Sequence, residues 1–193
     1  KKLGHEAEII LVDKKGYHLF VPAIYEVASA YGIKKDSFAV QLRKTVCIPY
    51  ADILTDKKIK FLQSEITQLD IASKKATTNG GHTLEYDYLV LGLGSEVFDY
   101  NIPGVTDYAY QFKGIDDALF INQKLDQLSQ EFIAGHRTTP YSFLICGAGF
   151  TGVELAAELG CCSEVIKSKC RARGRCSTIT IFEAGPKILP TVS

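Results

Sequence analysis

Three glycines and two carboxylates suggest most of the chemistry in this sequence of 193 residues. Gly147, Gly149 and Gly152 stand in G-x-G-x-x-G spacing within FLICGAGFTGVELAAELG, between the apolar run Phe143 to Cys146 and an Ala/Leu/Glu-rich stretch. That order predicts strand, tight turn and helix, a geometry suited to a diphosphate. The first glycine permits the turn, the second lets the backbone approach the phosphates, and the third lets helix lie close to strand. The orphan N–H groups and positive dipole end of the helix then face the anion. A glycine-rich turn made small only for packing has the same spelling, so a second element is required: an acid ending the next strand, to hold ribose hydroxyls. TITIFE, residues 178–183, alternates as a strand and ends in Glu183. This is later than the usual offset of about 20 residues, and the insert GCCSEVIKSKCRARGRCST accounts for the delay as a longer helix and loop. A carboxylate there repels a 2′-phosphate and favours NADH over NADPH. Its plainer alternative is a solvated strand end.

The second carboxylate is Asp13, which closes the short apolar strand EIILVD, residues 8–13. KKLGHE before it reads as the tail of a helix closed by Gly4. Helix end, strand and terminal acid form the later half of a dinucleotide-binding βαβ unit, so the glycine loop belonging to Asp13 is expected ahead of residue 1. Only two strands of the later unit fit before Ser193. The expectation is a fragment lacking both ends, in keeping with the absence of Met even at position 1.

The elements that must position these groups follow from periodicity. Pro22 opens an amphipathic helix to about Tyr31, and a second covers roughly Ser37 to Val46. KIKFLQSEIT, from Lys58, reads as one strand. A β-meander follows, with a turn at Asn79-Gly80-Gly81 and a buried strand from Tyr86 to Leu93. NIPGV, from Asn101, marks a boundary, and IDDALFINQKLDQLSQEFI, from Ile115, is an amphipathic linking helix. The fold class is therefore α/β, with two incomplete Rossmann-like units and a β-meander between them. The domains are 1–112, a partial dinucleotide-binding domain, and 113–193, the linking helix and start of a second, NADH-binding domain.

Composition narrows the function classes. Lysine plus arginine and aspartate plus glutamate number 22 each, so the formal charge is zero and gives no general pull toward nucleic acid or anionic membrane. With 46% hydrophobic residues the chain can build a core, yet no apolar run reaches the roughly 18 residues of a spanning helix, and no signal-peptide pattern is present. None of the six cysteines forms C-x-x-C. Cys161, Cys162, Cys170 and Cys176 match no common zinc spacing, and they read as free thiols in a reducing cytosol, with no metal expected. Cys146 reads as a space-filling strand residue. The basic residues of the insert read as a solvated face.

Several stretches in order resemble the type II NADH:quinone oxidoreductases of the FAD-dependent pyridine nucleotide-disulfide oxidoreductase superfamily. These are YHLFVPAIYEVA (17–28), YDYLVLGLGSEVFDYNIPG (86–104), FKGIDDALFINQKL (112–125), CGAGFTGVELAAEL (146–159) and FEAGPKILP (182–190). The resemblance implies an enzyme in which NADH gives hydride to FAD and two electrons then pass to a membrane quinone. It implies that Asp13 and Lys14 meet the adenosine ribose end of FAD, and that Pro22 lines its pyrophosphate and flavin. Ile66 would meet the adenine through its backbone, and Leu93, Gly94 and Ser95 would close over the ADP half. Gly147, Gly149, Phe150, Thr151 and Gly152 would hold the NADH diphosphate, and Glu183 its adenosine ribose. Glu154, a carboxylate placed near an anion site that it opposes electrostatically, would reach toward nicotinamide and flavin as the candidate catalytic residue. An ordinary first-turn glutamate is its alternative. The family also implies a cytoplasmic protein held peripherally on the inner face of the cell membrane through its C-terminal segment, and allows a homodimer. The same residues leave open a ferredoxin- or rubredoxin-type reductase, a sulfide:quinone-type oxidoreductase, or a nucleotide-binding module without catalysis. Residues 22–31 hold no cysteine, which disfavours a disulfide reductase.

Overall fold

A computed structural model describes residues 7–30, 38–137, 139–169 and 177–189. The first elements are strands β1 (Ile9–Asp13) and β2 (Tyr17–Leu19), a 3-10 turn at Val21–Ala23, and helices α1 (Ile24–Ser29) and α2 (Phe38–Val46). Strand β3 (Cys47–Pro49), helix α3 (Tyr50–Ile53) and strands β4 (Ile59–Gln63), β5 (Ile66–Asp70), β6 (Lys75–Thr78) and β7 (Thr83–Glu85) follow. The chain continues with helices α4 (Val105–Tyr108) and α5 (Ile115–Ile133), strand β8 (Tyr141–Cys146), helix α6 (Phe150–Lys169) and strand β9 (Ser177–Phe182). The molecule divides into two units: Lys1–Leu19 with Cys47–Glu96, and Phe20–Val46 with Val97–Ser193.

In the first unit β1 and β4 pair in parallel, Ile9 opposite Ile59 through Asp13 opposite Gln63. The β2–β3 ribbon is antiparallel, as is the meander β5-β6-β7. The expected turn at Asn79–Gly81 is present, with Gly81 at φ +76° and its N–H donating to Thr78 O at 2.9 Å. Only glycine adopts that conformation without cost.

Two expectations need correction here. The stretch from Lys58 forms two strands. The Ser64 N–H donates to Asp13 O (3.0 Å) and its hydroxyl to Asn79 Oδ1 (2.8 Å), so the chain leaves the β1 ladder at Ser64 and enters the meander. The run Tyr86–Leu93 is not a buried strand. It has no regular structure, and Tyr88, Val90 and Leu93 are 94%, 90% and 85% exposed. A strand needs a hydrogen-bonded neighbour, and no ladder joins this run to another strand among the described residues. Its apolar spelling records a preference for burial that the local surroundings do not satisfy.

The second unit is built around α5. Asp117 accepts from the backbone N–H groups of Gly114 (2.7 Å) and Lys113 (3.0 Å), which satisfies orphan donors at the helix start. Ile115, Ala118, Leu125, Ser129 and Phe132 are its buried face, at the three- and four-residue spacing of one helical stripe. Phe132 forms a core with Tyr141, against which Leu128 and Phe143 pack. Strands β8 and β9 run parallel, Tyr141 opposite Ser177 through Cys146 opposite Phe182. Their alternating burial puts Phe143 and Ile145 on one face and Leu144 and Cys146 on the other, as the period of two requires. The helix tail at Gly4, and the region around Cys170 and Cys176, lie outside the described residues.

Candidate functional site

The β8–α6–β9 unit assembles the glycine loop from the backbone outward. Gly147 takes φ +106°, a value L side chains rarely adopt, and its N–H donates to Phe182 O at 2.8 Å, prolonging the strand ladder. A Cβ built on Gly152 would fall on the carbonyl oxygen of Gly147, far inside van der Waals contact. Any side chain there would drive α6 off the turn, so this glycine has the close-approach role its place in the fingerprint assigns. At Gly147 and Gly149 the space for a Cβ is open within 4 Å, leaving one side of the loop clear for a ligand. The Gly149 carbonyl accepts from Val153 N–H at 3.1 Å and starts the helix ladder. Phe150 and Thr151, both exposed, form the first positions of α6. The first N–H groups of any helix lack intrahelical acceptors, so an anion on the open side of the loop meets donors and the positive dipole end.

Glu183 follows β9 directly and reaches back to this loop. Its Oε2 accepts from Ala148 N–H at 2.8 Å and its Oε1 from Gly185 N–H at 2.9 Å. These backbone donors, Gly185 first and Ala148 next, hold the carboxyl below its usual range. The carboxylate is therefore anionic at neutral pH, and oriented. Gly147, Gly149, Gly152 and Glu183 thus lie in one constellation, with Phe150 and Thr151 at its helical edge.

Glu154 lies just past the first turn of α6, which holds no acidic residue, and is half-buried. Its position departs from the plain first-turn glutamate. Glu158, one turn on, accepts from the Ser29 hydroxyl at 3.3 Å.

In the first unit Asp13 ends β1. Its Oδ1 accepts from Lys15 N–H at 2.8 Å and its Oδ2 from the Tyr50 hydroxyl at 2.9 Å. A carboxylate offers about four acceptor sites, so a ribose hydroxyl can still be received. Burial and this hydrogen bond push the Tyr50 phenol up to about 12, so it remains a donor throughout the neutral range. Tyr50 is a partner of Asp13 that sequence reasoning missed. It lies far from Asp13 in the chain, and only the return of α3 to the β1 turn, with Tyr50 N–H donating to Gly16 O at 3.1 Å, reveals it. Lys14 pairs with Glu65 at 3.5 Å on an exposed surface, which contributes little. Ile66 opens β5 opposite Thr78 at a bulge. Leu93, Gly94 and Ser95 lie in the irregular run, and no ladder brings them to β1 among the described residues. Pro22 sits exposed in the 3-10 turn of the second unit. Among the described residues no group of three or more His, Cys, Asp or Glu could hold a metal ion, and no helix is long and apolar enough to cross a membrane.

Residues 1–193 match the family model described as pyridine nucleotide-disulphide oxidoreductase. The chain is 32% identical over 193 residues to a type II NADH:quinone oxidoreductase of Staphylococcus haemolyticus, covering 97% of this chain and 45% of that protein. It is 33% identical over 191 residues to the demethylphylloquinone reductase NdbB of Synechocystis sp., covering 96% of this chain and 41% of that protein. It therefore spans less than half the length of these curated relatives. Among solved structures, NDH2 from Plasmodium falciparum in complex with NADH matches with TM-score 0.77 and 24% identity over 97% of this chain and 39% of that one. A ferredoxin reductase from Rhodopseudomonas palustris matches with TM-score 0.67 and 16% identity, covering 98% of this chain and 39% of that one. At these identities the solved structures show the fold alone, a Rossmann-like α/β architecture.

Proposed function

The chain belongs to the pyridine nucleotide-disulphide oxidoreductase family, and from that premise we propose that the protein is an FAD-dependent NADH:quinone oxidoreductase. The observation that carries the reading is the joining of the glycine loop to an anionic Glu183 through Ala148 N–H. A helix N-terminus beside an open glycine turn suits a diphosphate. An oriented carboxylate at the strand end accepts from ribose hydroxyls and repels a 2′-phosphate, so NADH is the nucleotide this loop takes. The curated relatives named as NADH:quinone and demethylphylloquinone reductases support a quinone as acceptor.

On the flavin side, Asp13 with Tyr50 offers the acceptor for the adenosine ribose. Lys14, Ile66, Leu93, Gly94 and Ser95 are proposed to serve the same cofactor in the first unit, and Pro22 is proposed separately, on the family resemblance, as a contact of the flavin cofactor. The flavin supplies hydride acceptance from NADH and electron delivery to quinone, chemistry that belongs to the cofactor. The chain's own residues bind, orient and screen. The glycine loop fixes the diphosphate, Glu183 sets the ribose, and Glu154 orients the nicotinamide by its charge. We place the protein peripherally on the inner face of the membrane, without a spanning helix in the described part.

The test uses the full-length protein. A yellow flavin spectrum bleached by NADH, restored by a water-soluble quinone and not by a ferredoxin or rubredoxin, is the expected result. A protein purified without flavin absorbance, or one reoxidised only by an iron–sulfur partner, would overturn the assignment.

A further inference from the structure

The end of β9 and the segment after it return to the glycine loop and hold it at three successive points. Gly147 N–H donates to Phe182 O at 2.8 Å, and Ala148 N–H donates to Glu183 Oε2 at 2.8 Å. Ala148 O in turn accepts from Leu189 N–H at 2.8 Å. Ala148 is fully buried, although the glycines on either side of it are exposed. Residues 183–189 have no regular structure, and Gly185 N–H on Glu183 Oε1 (2.9 Å) tightens their first turn. They lie as a strap along one side of the loop. Leu189 makes its contact at φ +49°, in the left-handed region that a bulky residue enters only at a cost. Such a conformation persists where its surroundings over-determine it, and the Ala148 carbonyl is a partner that holds it.

That contact decides the direction of a neighbouring donor. The Ala148–Gly149 peptide bond is trans and planar, so its C=O and N–H point in opposite directions. Leu189 keeps the carbonyl on the strap, which turns the Gly149 N–H away from the strap. No hydrogen-bond acceptor meets this N–H among the described residues. Gly149 is exposed, with no atom within 4 Å of the place a Cβ would take. The N–H groups of Gly147 and Ala148 are already occupied by Phe182 and Glu183. Gly149 therefore carries the first open donor of the loop, directly ahead of Phe150 and Thr151 at the start of α6.

We propose that Leu189 is a positioning residue for the diphosphate: its N–H holds the Ala148 carbonyl on the strap, so that the Gly149 N–H already faces the ligand side before a nucleotide arrives. The inference rests on the reading of the glycine loop as a nucleotide diphosphate site. Two effects act in the same direction. The carbonyl oxygen, which repels phosphate oxygens, is kept away from the ligand, and a donor is aimed without later reorganisation. An anionic acceptor makes such a hydrogen bond stronger than a neutral one. The working group is the backbone N–H of Leu189, and its side chain has no part in the effect.

The test deletes that one N–H. In the full-length protein, nonsense suppression replaces Leu189 by its α-hydroxy acid, which keeps the side chain and turns the amide into an ester. Calorimetry then compares ADP-ribose, which carries the diphosphate, with adenosine, which lacks it. The ester should weaken ADP-ribose binding about tenfold and leave adenosine binding unchanged. Leu189→Gly keeps the N–H and accepts the left-handed conformation, so it should bind ADP-ribose as the parent does. Hydrogen exchange in the parent, resolved by residue, should show Leu189 protected without nucleotide and Gly149 protected only once ADP-ribose is added. Unchanged ADP-ribose affinity in the ester would overturn the inference. So would an equal loss for adenosine, which a merely structural role produces. A Leu189 amide exchanging at the open-chain rate would overturn it even where the ester fails to fold. A parent that binds ADP-ribose no more tightly than adenosine would remove the diphosphate reading itself, and the inference with it.

Discussion

Glu183 and Tyr50 are the side chains on which the two nucleotide readings turn, and each makes a pH statement. Backbone donors lower the Glu183 carboxyl below 4.5. What it contributes is therefore complete above the unfolded value and is lost as pH falls through the lower folded one. Carbon NMR of the Glu183 carboxyl should show that depressed midpoint, and a midpoint at or above the ordinary value would remove the oriented anion. Glu183→Ala should raise NADPH affinity relative to NADH by about tenfold, since the like-charge repulsion disappears. Tyr50 runs the other way. Its folded value of about 12 lies above the usual 10, so its contribution is present below 10 and lost as pH rises toward 12. Tyr50→Phe leaves Asp13 with Lys15 N–H as its remaining hydrogen-bond donor of the two. At a half-buried hydrogen bond the cost is about 1 kcal/mol, and chemical denaturation at neutral pH should show it. Equal stability of variant and parent would mean the hydroxyl contributes nothing there.

Among the elements, α6 depends on one missing side chain. Gly152 brings the helix against the Gly147 carbonyl, so Gly152→Ala must displace α6 or the turn at a cost of about 1–3 kcal/mol. The glycine loop should then lose NADH affinity along with stability, read by thermal unfolding and fluorescence titration. Retention of both would show that the turn relaxes freely. This part was legible in the sequence because local spacing encodes it. G-x-G-x-x-G between an apolar run and an Ala/Leu stretch specifies strand, turn and helix, and α5 was legible for the same reason, its stripe at three- and four-residue spacing. Strand identity from Tyr86 to Leu93 was not legible. A β-rich run states a preference for burial, while ladder formation depends on a neighbour that local sequence does not specify. The break at Ser64 was hidden likewise, since the choice between continuing β4 and turning into the meander rests on Ser64 reaching Asp13 and Asn79. The Tyr50–Asp13 and Ser29–Glu158 hydrogen bonds join distant stretches, invisible to any reading of spacing.

For the whole molecule, the exposed apolar run has a direct consequence. Tyr88, Val90, Leu91 and Leu93 are each 60% exposed or more, and contiguous apolar surface of this kind binds other apolar matter. The 193-residue chain should enhance the fluorescence of a hydrophobic dye at neutral pH while keeping its helical circular dichroism. Replacing Val90 and Leu91 with serine should diminish that signal. A native chain that leaves the dye dark would mean the run is covered in solution. The two units carry different parts of the proposed chemistry, and the nucleotide assignment of the second unit is the claim on which the redox reading depends. It is tested most directly by titrating NADH into the isotope-labelled chain and following backbone amide resonances. Saturable shifts concentrated at Gly147 to Gly152 and around Glu183, weaker with NADPH, are predicted. Shifts absent from that loop, or equal for the two nucleotides, would contradict it.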